Sequence, residues 1–317
     1  MGWFSKGSTA VTREHVIWAY RLLLDRDPES EDAITPKVRG CATTRQLRAE
    51  LMNSAEFREK NPDYAHTNDP TVVIKPYPSG LRLCVDLSDH VIGLPILRDQ
   101  YEPDALGFVE QALQPGQHVV DVGAHIGFFA MHMAQRVGPS GSVTAFEPFA
   151  ANADLLARSI AENRFEAFVR LHRAAAGARS STGRLAFARE TLNSGGAFLV
   201  PDSGAAPADL STTEVPIVAL DEIDLPRPVA FVKMDVEGAE PFVVEGARRL
   251  LAADRPTILS EIHVAQLAAV AGCTPAGFVA ALAGLGYECR TLTPGGVGDI
   301  VDTSALPPVT TVVFRAK

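Results

Sequence analysis

Val119-Val120-Asp121-Val122-Gly123-Ala124-His125-Ile126-Gly127-Phe128-Phe129 is an apolar strand ending in an acid, a tight glycine turn and the start of an apolar helix. A chain running this way passes its backbone close to a ligand: Gly123 permits the turn and the close approach, and Gly127 lets the helix pack tightly on the strand. The spacing G-x-x-x-G is not the G-x-G-x-x-G of dinucleotide sites, and Asp121 would set negative charge beside a pyrophosphate. A cofactor carrying a cationic or zwitterionic group fits the loop better, with Ala124 and His125 in the turn that meets it. Twenty residues after Gly127, Glu147 ends the next strand in Ala145-Phe146-Glu147-Pro148. A carboxylate there can accept both hydrogen bonds of a ribose diol. An acid at a strand end is often only a helix cap, but two in consecutive β-α units at this spacing point to S-adenosylmethionine.

On either side of this unit, strands and helices alternate. HVVDV, SVTAFE, FVRLH, VAFVKMDV and PTILSEIH read as strands, interleaved with helical patterns at Gly127 to Val137, Ala150 to Asn163, Ala239 to Ala252 and Thr274 to Leu285. This is the pattern of an α/β protein with a doubly wound sheet. The closing pair, YECRTL and VTTVVFRA, suits an antiparallel strand, and TVVIK and LRLCVDL form a hairpin across Pro76 to Gly80. Ala178 to Val215 breaks the alternation with Ser, Thr, Gly and Pro clusters around GRLAFA and GAFLV. It reads as an insertion between core strands, with Asn193-Ser194-Gly195-Gly196 either a substrate lip or a plain turn.

The first segment is different in kind. Val16, Ile17, Tyr20, Leu23 and Leu24 make a helical stripe stopped by Asp27-Pro28, and a second helix capped at Thr43-Thr44 carries Leu47 and Leu51. Asn61-Pro62 ends it, so residues 1–66 are expected to be a small all-α accessory domain and 67–317 the catalytic one.

With 46% hydrophobic and 21% charged residues the chain belongs among soluble globular proteins. Its longest apolar stretches fall short of a membrane span, and the start MGWFSKGST lacks an apolar leader core. Cys41, Cys84, Cys273 and Cys289 are scattered, which suits a reducing cytoplasm. The net charge of −9 lies after residue 66, where 28 acidic face 19 basic side chains. An acidic surface repels phosphate backbones, so nucleic acid is not an expected partner.

Four blocks resemble a known family: Val120 to Phe128; Phe146-Glu147-Pro148 with Asn152; Leu220-Asp221-Glu222-Ile223; and Val232-Lys233-Met234-Asp235-Val236-Glu237-Gly238-Ala239-Glu240, continuing into Glu245-Gly246-Ala247 and Pro256 to Glu261. Over about residues 70 to 317 the chain resembles the FkbM-type S-adenosylmethionine-dependent methyltransferases, mostly O-methyltransferases of sugars and natural products. The resemblance implies a class I methyltransferase-like Rossmann fold with a mostly parallel seven-stranded sheet. It implies an acceptor hydroxyl on a sugar, glycoconjugate or polyketide-type product. It also implies cofactor contacts from Glu102, Asp121, Gly123, Ala124, His125, Gly127, Glu147, Pro148 and Asn152. Glu102, beside Tyr101, is placed to pair with the cofactor's ammonium or, equally, to open a helix. The family usually has Asn at the position of His125, so a polar contact near the methionine end is expected to differ. Tyr20 to Pro28 and Ser54-Ala55-Glu56-Phe57 resemble a small bacterial helical domain that accompanies glycan-related enzymes, and docking or oligomerisation is its expected role.

Methyl transfer from a sulfonium is an in-line displacement, so the site must align a hydroxyl and remove its proton. Two strand ends are rich in polar groups: Lys233 and Asp235 with Glu237 at the turn after one strand, and Glu261 with His263 at the end of the next. Two readings are open. Asp235, Glu261 and His263 could coordinate Mg or Mn and lower the hydroxyl's pKa, or His263 or a carboxylate could act directly as base. Lys233 either pairs with Asp235 or orients substrate. A nicotinamide-dependent reductase and a catalytically silent cofactor-binding partner protein are the competing functions.

Overall fold

Thr12 and His15 cap each other reciprocally, the hydroxyl accepting the His15 amide and the imidazole the Thr12 amide, and this starts α1 (Arg13–Leu24). Val16, Tyr20, Leu23 and Leu24 of the stripe are buried. α2 (Glu31–Gly40), α3 (Thr44–Met52) and α4 (Ala55–Lys60) complete the helical segment. Thr43 caps α3 through the Gln46 amide. α2 contains Pro36, a residue that argues against a helix interior, and so gave no signal in the sequence. The computed structural model describes residues 10–60, 65–66, 71–89, 91–188, 195–201 and 210–317. The N-terminal nonapeptide, the linker residues 61–64 and 67–70, His90, Asn193 and Ser194 lie outside them.

A three-stranded antiparallel sheet follows, β1 (Ala65–His66), β2 (Val72–Pro76) and β3 (Arg82–Asp86), with the expected hairpin between the last two. Then come α5 (Gly93–Leu97), α6 (Pro103–Ala112), β4 (His118–Val122), α7 (Phe128–Val137), β5 (Ser142–Phe146), α8 (Ala150–Asn163) and β6 (Val169–His172). The expected insertion, with Ala175–Ala176 before it and the residues to Val218 after it, forms a second sheet from β7 (Ala175–Ala176), β8 (Ser181–Ala188), β9 (Phe198–Val200) and β10 (Leu210–Val218), in the order β7-β10-β8-β9. The chain returns through β11 (Val229–Met234), α9 (Glu240–Gly246), α10 (Arg248–Asp254), β12 (Thr257–His263), α11 (Val264–Ala271), α12 (Pro275–Ala283), β13 (Tyr287–Thr293), β14 (Gly296–Ile300) and β15 (Val309–Ala316). The expected helix over Ala239 to Ala252 is two, broken at Ala247.

The main sheet has the order β14-β13-β15-β12-β11-β4-β5-β6. β12, β11, β4, β5 and β6 are parallel, and β15 runs antiparallel between β12 and β13. The doubly wound reading holds, with β14 as an added edge strand beyond the seven expected. Both faces are covered, which is why the central strands read as unbroken apolar runs. Val119, Phe231, Leu259 and Val313 join one buried cluster with α6 and α7 residues, while Val120, Val232, Ile258 and Phe314 join another with residues of α9 to α12. From β4 the strand order proceeds to β5 and β6 on one side and resumes at β11 and β12 on the other. Between β4 and β11, therefore, the loops part and leave a crevice at the carboxyl ends of the strands. Among the described residues no single helix is long and apolar enough to cross a membrane.

Candidate active site

At the crevice the two central strands are tied end to end: the Asp235 amide donates to the Val122 carbonyl at 3.0 Å. Gly123 has φ +79, and a Cβ there would lie 1.8 Å from the Asp235 carbonyl oxygen. The missing side chain thus lets two loop backbones touch. Gly127 does not relieve contact with its own strand as expected; a Cβ would instead meet Leu156 of α8 at 2.4 Å. Above these loops opens a cavity of about 300 Å³. Glu102, Gly123, His125, Glu147, Pro148 and Asn152 of the expected cofactor set line it, as do Asp235, Glu237 and Glu261. Asp121, Ala124, Gly127, Lys233 and His263 are not among its lining residues.

Glu147 is 5% exposed, and its two oxygens accept the amides of His125 and Phe149, each at 2.8 Å. It therefore braces the glycine loop against the start of α8, and each oxygen keeps a free lone pair for a diol. Burial pushes its carboxyl up to about 7, against the pull of those amides. Asp121 is wholly buried, and neither of its oxygens has a hydrogen-bond partner. Burial raises it to about 6, while Lys233 draws it down. Glu102 is the residue before α6, at φ +41, and its side chain makes no capping hydrogen bond. Burial raises its pKa, with Lys233 opposing. Glu102, on the cavity wall, suits the ammonium of a zwitterionic cofactor, whereas Asp121, wholly buried behind the loop, does not reach the cavity. The braced Glu147 suits the cofactor's ribose.

His125 holds a left-handed backbone at φ +52, and its imidazole is pushed down to about 4 by burial, so it is neutral. Lys233 is a bridged cation: its Nζ lies 3.2 Å from Asp235 and 4.7 Å from the centre of the Phe129 ring. Burial draws its pKa down, but Asp235, Asp121 and Glu102 more than offset this and raise it. Glu237, at φ +52, faces the cavity. Burial first, then Asp235 and Glu261, push it up to about 8, and Glu261 is pushed up to about 7 by burial and Asp235.

His263 is placed differently from expectation. Its Nδ1 accepts the Gln266 amide at 3.2 Å and caps α11, which directs the ring to a structural task. Among the described residues no group of three or more His, Cys, Asp or Glu side chains could hold a metal ion, so Asp235, Glu261 and His263 do not assemble into the expected coordination set. The sequence also missed Glu240. It is 2% exposed, and its Oε1 accepts the amides of Val236 and Gly238, although first-turn acids usually lie in water. The third wall comes from the insertion, through Ala175, Ala176, Leu185, Gly195 and Leu199. Phe187 of β8 packs on Phe149, with centroids 4.8 Å apart.

No curated protein matches the chain. Among solved structures it is similar to the methyltransferase FkbM of Methylobacillus flagellatus KT, at 17% identity and TM-score 0.39 over 94% of this chain, which spans only 58% of that one. It is also similar to a SAM-dependent O-methyltransferase of Thermotoga maritima, at 12% identity, TM-score 0.40, and 80% and 85% coverage of the two chains. TYW2 of P. horikoshii, solved in complex with MeSAdo, is similar at 15% identity and TM-score 0.42, with 78% and 71% coverage. The sequence model of the methyltransferase FkbM domain matches residues 121–288, from Asp121 near the end of β4 to the second residue of β13 and over half of the chain. The nicotinamide reading falls with that match: the chain belongs to the FkbM family of S-adenosylmethionine-dependent methyltransferases.

Proposed function

We propose that the chain is an O-methyltransferase acting on a hydroxyl of a sugar, glycoconjugate or polyketide-type product, with Glu237 as the base. The observation that carries this reading is Glu237 itself: a carboxyl group on the cavity wall, held in a backbone conformation that non-glycine residues rarely adopt, with its pKa raised past neutrality by burial and by Asp235 and Glu261. A hydroxyl proton is hard to remove, and a carboxylate of pKa about 8 is a stronger base than an ordinary one. S-adenosylmethionine, when bound, supplies an electrophilic methyl group. Glu102 is assigned to its ammonium and Glu147 to its ribose, with Pro148 and Asn152 flanking, while Asp121 lies behind the loop as fixed negative charge. Glu261, also on the cavity wall, is assigned to a neighbouring hydroxyl of the acceptor. Lys233, paired with Asp235, holds that side chain in place. The apolar wall from the insertion excludes water from the reacting atoms. Residues 1–66 are assigned a docking or oligomerisation role, and the four free thiols suit a reducing cytoplasm.

The test is incubation with S-adenosylmethionine and a panel of polyol and macrolide-type acceptors, read by mass spectrometry. Methylation on oxygen that Glu237→Gln abolishes supports the reading. Methylation on nitrogen or carbon, or an undiminished Glu237→Gln variant, contradicts it.

A further inference from the structure

We infer that Glu240 is a positioning residue: by accepting the amides on either side of residue 237, its buried carboxylate holds Glu237 in the left-handed conformation that presents its side chain to the cavity. The inference rests on the proposed role of Glu237. Glu240 does not line the cavity and is 2% exposed at the start of α9. Its Oε1 takes the Val236 amide at 3.1 Å and the Gly238 amide at 3.3 Å, so the Asp235–Val236 and Glu237–Gly238 peptide units, which bracket the turn at Glu237, are pinned to one atom. Its Oε2 is buried without a hydrogen-bond partner. Burying a carboxylate with half its acceptor capacity unused is costly, and an acid serving only the helix dipole could do so in water. The loop geometry is what the burial secures.

A second element closes the loop from the other side. Gly238 has φ +94, and a Cβ there would stand 2.3 Å from the Gln266 carbonyl oxygen, so α11 presses directly on the loop backbone. The Gln266 amide is the one that His263 caps. Glu237 thus sits between two fixed points, Glu240 on α9 and Gln266 on α11. A left-handed non-glycine residue persists only where its surroundings over-determine it, and here they do.

The experiment compares Glu240→Ala and Glu240→Gln in the full chain. Glutamine keeps one oxygen that can accept both amides, whereas alanine keeps none. The expected result is a fall in kcat of about 10-fold or more for Glu240→Ala, with KM for the acceptor and S-adenosylmethionine affinity within about 2-fold, and recovery of most of the loss in Glu240→Gln. Hydrogen exchange at the Val236 and Gly238 amides should quicken in Glu240→Ala and stay slow in Glu240→Gln. If Glu240→Ala does not fold, Glu240→Asp takes its place, since the shorter side chain withdraws the acceptor while keeping the charge. Unchanged kcat in the alanine or aspartate variant, equal loss in the glutamine variant, or unchanged exchange at both amides would overturn the inference. Full activity of Glu237→Gln alongside altered exchange in Glu240→Ala would instead sink the base assignment and leave the brace standing.

Discussion

Glu147 shows how one side chain serves both structure and ligand. Replacing it with alanine removes the acceptor for the His125 and Phe149 amides as well as the one assigned to the ribose. S-adenosylmethionine binding should weaken by about 1.5 to 3 kcal/mol, as expected for lost charge-assisted hydrogen bonds. Titration calorimetry checks this, and unchanged affinity would leave Glu147 a brace only. His132 gives the pH dependence. It is buried, its Nε2 has no partner, and burial pushes it down to about 4 from 6.5. Above pH 6.5 both folded and unfolded forms are neutral there. Below it the unfolded chain takes a proton that the folded chain refuses until about pH 4, so stability is lost as pH falls through that window, by about 3 kcal/mol. Denaturant melts of the wild type and His132→Phe at pH 7.5 and pH 4.5 should show a smaller loss in the variant. Equal losses would contradict the assignment. Of these residues, Glu147 was legible because a strand-end acid has a fixed spacing from the glycine loop. The tasks of Glu240 and His263 were not, because each depends on which backbone amide the side chain reaches, and nothing in the spacing of residues encodes that.

At the scale of elements, helices and strands with one strong apolar period were readable and those with a local contradiction were not. β4, β5, β12 and β15 fall where the apolar runs put them. α2 was hidden by Pro36, and much of β10 by its exposed, polar Thr213 and Glu214 and by Pro216. The eight-residue α11 was not read as an element at all because its start carries no Ser, Thr, Asp or Asn cap; His263 does that work. His263→Ala should therefore cost about 0.5–2 kcal/mol of stability, the usual loss on removing a cap. Turnover should fall far less than the roughly 100-fold or more expected for loss of a general base. Thermal melts alongside kcat decide it. A 100-fold loss of turnover at unchanged stability would return His263 to the chemistry.

For the whole molecule, a single buried cluster runs from Val11 and Val16 of the helical segment through Leu83 and Val85 of the hairpin to α7 and the main sheet. The helices and the catalytic unit therefore share packing, even though every described cavity-lining residue lies at or after Val91. A chain beginning at Thr71 should bind S-adenosylmethionine with nearly unchanged affinity while melting at a lower temperature. Loss of binding in a chain that stays folded by circular dichroism would show that the helices complete the site. The most direct measurement is transfer of an isotopically labelled methyl group from S-adenosylmethionine, followed by location of the label in the product by NMR, for the wild type and Glu237→Gln. The expected result is label on an acceptor oxygen at a rate that falls by about 100-fold or more in Glu237→Gln while cofactor affinity holds. Label on nitrogen or carbon, or an equal rate in the variant, would contradict it.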